Sequence, residues 1–262
     1  MGKLLFFLCF ILSSTSLWAA DIYTESNRNS HHLYIDGVIR DGDAERFAKE
    51  MSKLPWVNIL WLNSPGGSVV EALRIAKLVK YSNISIHIKE RSDCVSACFF
   101  VWLAGLSRNA VGVDGGGLVE PPSNRDRPWM SFVGIHRPYI VDKDLIASRF
   151  LKNQVSAMDY VREYLSDNGV PLYLIDEMMA KPSNQVYWLK NRDLDAIGYY
   201  RPEIEELLIR DCGYERDYYW KYRDNPQKKN YIMDCESKIV VSNFQYIQDN
   251  IISKLKSGWR PW

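Results

Sequence analysis

Residues 56–62, Trp-Val-Asn-Ile-Leu-Trp-Leu, form a nearly unbroken apolar run that stops at the turn-forming cluster Asn63-Ser64-Pro65-Gly66-Gly67. The run reads as a buried strand. Ser68 follows as a fitting N-cap, and Glu71 three residues on completes a capping-box pattern, so a helix opens here and runs to about Tyr81. A strand that turns sharply into a helix is half of a crossover unit, and crossovers build parallel sheets.

The same alternation flanks this unit. Residues 33–39 and 84–89 read as strands, and 43–53 and 97–106 as helices. A Gly/Pro-rich stretch at 114–128 should be an exposed loop. Residues 132–137 resume a strand, and helical signatures cover 142–168, 172–180 and 191–197, with Gly198 ending the unit. The expected fold class is therefore α/β with a mainly parallel sheet. With 47% hydrophobic residues the chain can build a core, and 33 basic against 32 acidic residues give no global attraction to nucleic acid or anionic membranes.

Three regions are expected. In residues 1–20, Lys3, an apolar run at 4–12 and small residues before Asp21 read as a signal peptide cleaved after Ala19 or Ala20. The mature protein would then be periplasmic or secreted. The main domain spans 21–202. Residues 203–262 carry ten aromatic side chains from Tyr214 onward, among them Tyr218, Tyr219, Trp220 and Tyr222, and read as a small helical appendage.

Export decides how the cysteines are read. Without Cys9, four remain, and an even number in an oxidising compartment suggests two disulfides. Of three possible pairings we expect the sequence-local one, Cys94 with Cys98 and Cys212 with Cys235. Zinc is the alternative, but His31, His32, His87 and His136 do not fall at ligand spacing from a cysteine pair. No metal and no cofactor is expected.

Three segments carry chemistry. The paired glycines Gly66-Gly67 let backbone approach a ligand closely, with N–H groups able to face a developing negative charge. Ser96, between a strand and a helix, can project its hydroxyl at the sheet's tip; the plainer reading is an N-cap serine. His136 closes the strand after the loop and is the best candidate for a general base. His87 lies in mid-strand, and His31 and His32 sit in an early polar stretch.

Taken together, the segments resemble the proteolytic subunit of Clp proteases and its relatives in the Clp/crotonase superfamily. The carriers are Asn63-Ser64-Pro65-Gly66-Gly67, Ser96 with Leu103-Ala104-Gly105 closing its helix, and Ile135-His136-Arg137-Pro138. The 29-residue separation of Gly67 from Ser96 also suits that family. The resemblance covers about residues 32–200 and implies repeated strand–helix units, Ser96 as nucleophile, His136 as its base, and the Gly67 and Ala97 N–H groups as oxyanion donors. By the same resemblance a homo-oligomer is expected.

Two departures accompany it. Ser96 and His136 lie 40 residues apart, longer than the family pattern, and no Asp falls at the third position. That position lies near Pro182-Ser183-Asn184; Asn184 could orient an imidazole, Ser183 less firmly, and Asp176 is a more distant substitute. The leading expectation is an exported serine hydrolase cleaving peptide or protein substrates, with no ATP-driven unfoldase as partner. Its rival is a Clp-like binding or scaffold protein of the cell envelope with weak or no activity. A crotonase-like acyl-thioester enzyme would share the oxyanion logic but leave Ser96 and His136 without a joint role.

Overall fold

A computed structural model describes residues 19–28, 30–110, 131–139 and 157–262. Strands β1 (Asp21–Ser26), β2 (His31–Asp36), β3 (Ile59–Asn63), β4 (Ser85–Ile88) and β6 (Arg108–Ala110) form one sheet in the order β1-β2-β3-β4-β6. Only β1 runs antiparallel to its neighbour; the other pairs are parallel. A second sheet, β5-β7-β8, is built from β5 (Asp93–Val95), β7 (Phe132–Ile135) and β8 (Tyr187–Trp188), with β5 and β7 parallel. Helix α1 (Asp43–Ser52) connects β2 to β3, α2 (Val69–Ser82) connects β3 to β4, and α3 (Ala97–Leu103) precedes β6. The protein is thus mixed α/β with a mainly parallel sheet. Residues 1–18 of the expected signal peptide at 1–20, the loop at 114–128 and residues 142–156 of the expected helical stretch at 142–168 lie outside the described residues.

The core lies on one face of the larger sheet. Leu33, Ile35, Leu60, Leu62 and Ile86 from the strands meet Phe47 and Met51 of α1 and Ile75 and Leu78 of α2, all essentially inaccessible. Each such side chain contributes roughly 1.5–3 kcal/mol by leaving water. The run 56–62 therefore differs from a strand buried on both sides: Leu60 and Leu62 are buried, while Ile59 and Trp61 are half-exposed. On that other face a cross-strand ladder replaces covering helices. Tyr23, Tyr34, Trp61 and His87 sit in register, with ring centroids 4.7, 6.5 and 5.0 Å apart. Aromatic pairs of this kind stabilise neighbouring strands while tolerating contact with water.

The helix after the glycine turn begins as expected at Ser68, whose Oγ accepts the Glu71 N–H at 3.4 Å. The reciprocal half of the capping box is absent, because the Ser68 N–H already donates to the Ile39 carbonyl. The buried Glu71 carboxylate instead accepts the Ala44 N–H at 2.8 Å, satisfying a free donor at the start of α1.

Helices α4 (Ala157–Asp167), α5 (Leu172–Ala180), α6 (Asn191–Ile197), α7 (Pro202–Cys212), α8 (Tyr218–Lys221) and α9 (Pro226–Lys256) follow among the described residues. The last differs from a small appendage in reach. Near its start, Ile232 packs with Leu106, Tyr200, Leu208 and Tyr214 in a separate cluster. Near its end, Ile251, Ile252 and Leu255 enter the main core. Between them Gln248, fully buried, donates to the carbonyls of Val57 and Ser82 and accepts the Val57 N–H. Cys212–Cys235 joins α7 to α9, and Cys94–Cys98 brackets the turn before α3, so the sequence-local pairing is the one found. Among the described residues no helix is long and apolar enough to cross a membrane.

Candidate active site

The Asn-Ser-Pro-Gly-Gly turn is built to lie beside β5. The Asn63 side chain accepts the Asp93 N–H at 3.3 Å and donates to Asp36 at 3.0 Å, tying the end of β3 to both neighbours. Ser64, fully buried, pairs with Cys94 through the bonds Ser64 N–H to Asp93 O and Val95 N–H to Ser64 O, which joins the two sheets. Its hydroxyl accepts the Gly66 N–H at 3.1 Å and closes the turn.

Both glycines are sterically required. A β-carbon at Gly67 (φ +137°) would stand 2.0 Å from the Ile39 carbonyl oxygen. One at Gly66 (φ +100°) would meet Val95 O at 2.6 Å, Ser96 Cβ at 2.7 Å and Ala97 N at 2.9 Å. Because Ile39 bonds to Gly66 O and to the Ser68 N–H, the N–H of Gly67 between them faces the opposite way.

Ser96 stands at the junction of β5 and α3 with φ +57° and ψ −120°. A non-glycine residue in this region carries about 1–3 kcal/mol of strain and persists only where its surroundings enforce it. Here they do. Its N–H donates to Gly134 O, Gly66 backs its Cβ, and Cys94–Cys98 closes across it with Cα atoms 5.2 Å apart. A pair of cysteines four apart reaches bonding distance because this turn breaks the helical path. The hydroxyl does not cap α3, and Ser96 Oγ has no hydrogen-bond partner among the described residues. The N-cap reading of Ser96 therefore fails. Ala97, the first residue of α3, has an N–H beyond the reach of the intrahelical ladder.

His136 follows β7, the strand beside β5. Val95 is in register with Gly134, so Ser96 and His136 leave the same ends of adjacent parallel strands. The His136 Nδ1 lies 3.0 Å from the Arg137 carbonyl oxygen. Asn184 and Ser183 are exposed in a turn closed by the Gln185 N–H on Pro182 O, and neither bonds to the imidazole among the described residues. Asp176 pairs with Arg162 at 3.3 Å. The group at Nδ1 is thus a backbone carbonyl, which no residue-type search would find. Strand β8 holds β7 from its other side, and Gly134 permits the contact: a β-carbon there would meet Val186 at 2.6 Å. Tyr187 of β8 and Tyr173 of α5 both donate to the buried Asp193 carboxylate at 3.0 Å, which fixes this support.

The fold and site define a mixed α/β protein presenting a serine and a histidine on neighbouring parallel strand ends. No protein-family model matches the chain, nor does any curated protein. Among solved structures it is similar to a ClpP1 mutant from Listeria monocytogenes, at 16% identity over 64% of this chain and 88% of that one, with a TM-score of 0.41.

Proposed function

We propose that this chain is an exported, ATP-independent serine hydrolase that cleaves peptide or protein bonds through an acyl-enzyme at Ser96. The observation that carries the reading is the Ser96 turn: a hydroxyl at a helix-capping position that does not cap, held at positive φ by three separate restraints. An uncharged hydroxyl needs a base. His136, one strand away, engages the Arg137 carbonyl through Nδ1; the tautomer with the proton on Nδ1 leaves Nε2 as the acceptor. In this reading Ser96 Oγ attacks the carbonyl carbon as Nε2 takes its proton, and the same proton passes to the leaving amine. The N–H groups of Ala97 and Gly67 would receive the oxyanion, as the motif resemblance implies. The two disulfides fit an oxidising compartment, where no ATP-driven partner would operate.

The test is labelling of the purified protein with a fluorophosphonate. Wild type should label at Ser96, Ser96→Ala should not label, and His136→Ala should label roughly 100- to 10,000-fold more slowly, the range of general-base contributions. Unlabelled wild type, or equal labelling of Ser96→Ala, would favour a Clp-like fold kept for binding.

A further inference from the structure

Ala20 is fully inaccessible and belongs to the main core, whereas Ala19 before it is half-exposed. The Ala20 N–H donates to the Val38 carbonyl at 2.9 Å, one residue ahead of the β1–β2 register that begins with Asp21 opposite Asp36. Gly37 (φ +105°) runs alongside, so close that a β-carbon there would stand 3.5 Å from the Ala20 Cα.

The signal peptide expected at 1–20 has two candidate end points, and the fold does not treat them alike. A cut after Ala20 removes a core residue. The lost methyl group leaves unfilled space beside Gly37, and the Val38 carbonyl loses its donor. A cut after Ala19 leaves Ala20 and its bond to Val38 in place. That bond of the chain joins a half-exposed residue to a buried one, so the new terminus opens to water on the side that Ala19 vacates.

Charge and sequence favour the same bond. Asp21 and Asp36, both exposed, face each other across the ladder, and like charges directly opposite are unfavourable. An ammonium group on Ala20, one residue from Asp21, sets a positive charge beside this pair. Signal-peptide removal calls for small residues directly before the cut and two positions further back. A cut after Ala19 finds Ala19 and Leu17 there; a cut after Ala20 finds Ala20 and the much bulkier Trp18.

We propose that the Ala19–Ala20 bond is a proteolytic processing site and that the mature protein begins at Ala20, whose ammonium group is a structural part of the fold. The step is hydrolysis by an endopeptidase that removes signal peptides. The oxygen of water adds to the Ala19 carbonyl carbon and the C–N bond breaks. Ala19 keeps the carboxylate, and the Ala20 nitrogen takes up both protons of the water. The proposal rests on export, one part of the function read above, and is independent of the chemistry at Ser96.

The full precursor, expressed in a bacterium and purified, tests the site by intact mass and N-terminal peptide mapping. The expected start is Ala20. A start at Asp21 would overturn the proposal and leave export standing; a chain that keeps its residues 1–19 would overturn both. Ala19→Tyr should accumulate as precursor, and unimpeded processing of that variant would place the cut elsewhere and overturn the proposal. Ala20→Leu should be cut at the same bond but unfold at lower urea concentration, because the core has no room for a larger side chain there. An unchanged midpoint would overturn the structural role given to Ala20.

Discussion

Gly66 lies so close to Ser96 that a β-carbon on the glycine would stand 2.7 Å from the Cβ of the serine. The Asn-Ser-Pro-Gly-Gly turn is therefore the back wall of the Ser96 turn as well as a helix entry. Gly66→Ala should cost about 1–3 kcal/mol from overpacking, added to the strain of a positive φ, and should slow fluorophosphonate labelling. Gly42→Ala is the control: it also has positive φ, but a β-carbon there meets nothing within 4 Å. Urea unfolding should show the smaller loss for Gly42→Ala, with labelling unchanged. Equal losses would mean that backbone strain alone, and not the contact with Ser96, makes Gly66 necessary.

The backbone at Ser96 makes a second prediction independent of chemistry. At φ +57° alanine inherits the strain that serine carries, whereas glycine does not. Ser96→Gly should be more stable than Ser96→Ala by about 1 kcal/mol despite glycine's greater freedom in the unfolded chain. Chemical denaturation of the two inert variants reads this directly. A more stable alanine variant would show that the turn is not strained in solution.

The two disulfides should separate into different roles. Cys212–Cys235 spans 23 residues, so replacing both with serine should cost about 3 kcal/mol while leaving Ser96 labelling intact. Cys94–Cys98 spans four residues and adds less entropic stability, but it closes across the Ser96 turn. Its double serine variant should stay folded and label more slowly. Peptide mapping without reduction checks both linkages; a Cys94–Cys212 linkage would contradict them.

Acid should weaken the fold through His87. Burial first, and the charge of His32 second, lower its pKa below the ordinary value of 6.5. As pH falls through that ordinary value, the unfolded chain takes up a proton before the native protein does, so stability declines on the acid side. Above it both states are neutral and the residue adds no pH dependence. Urea midpoints measured between about pH 8 and 5 should fall for wild type and fall less for His87→Gln.

The parts of this fold legible in the sequence are those whose cause is local. Turn residues at 63–67 and the cap at Ser68 are set by short-range stereochemistry, and the Cys94–Cys98 and Cys212–Cys235 pairs follow from proximity along the chain. The run 56–62 misleads because Trp61 is apolar enough to read as core, yet it sits on the open face beside His87 and Tyr34. Strand β6, Arg-Asn-Ala, carries no apolar pattern; it exists because β4 and Tyr199 offer it backbone partners. Ser96 and His136 could be singled out by residue type, but their adjacency rests on the pairing of β5 with β7, a non-local fact. A carbonyl facing the His136 Nδ1 leaves no trace in residue identity.

The far end of α9 has a consequence for the order in which the molecule becomes whole. Ile251, Ile252 and Leu255 fill a core whose other walls come largely from residues 33–104, more than a hundred positions earlier. A chain emerging from a ribosome, N-terminus first, exposes those walls until α9 is free. Contacts so distant in sequence form late, because closing the intervening loop costs entropy before any burial compensates it. Until then Val57 and Ser82 also lack the Gln248 amide that satisfies their backbone groups. The core is thus completed only when the far end of α9 docks on it.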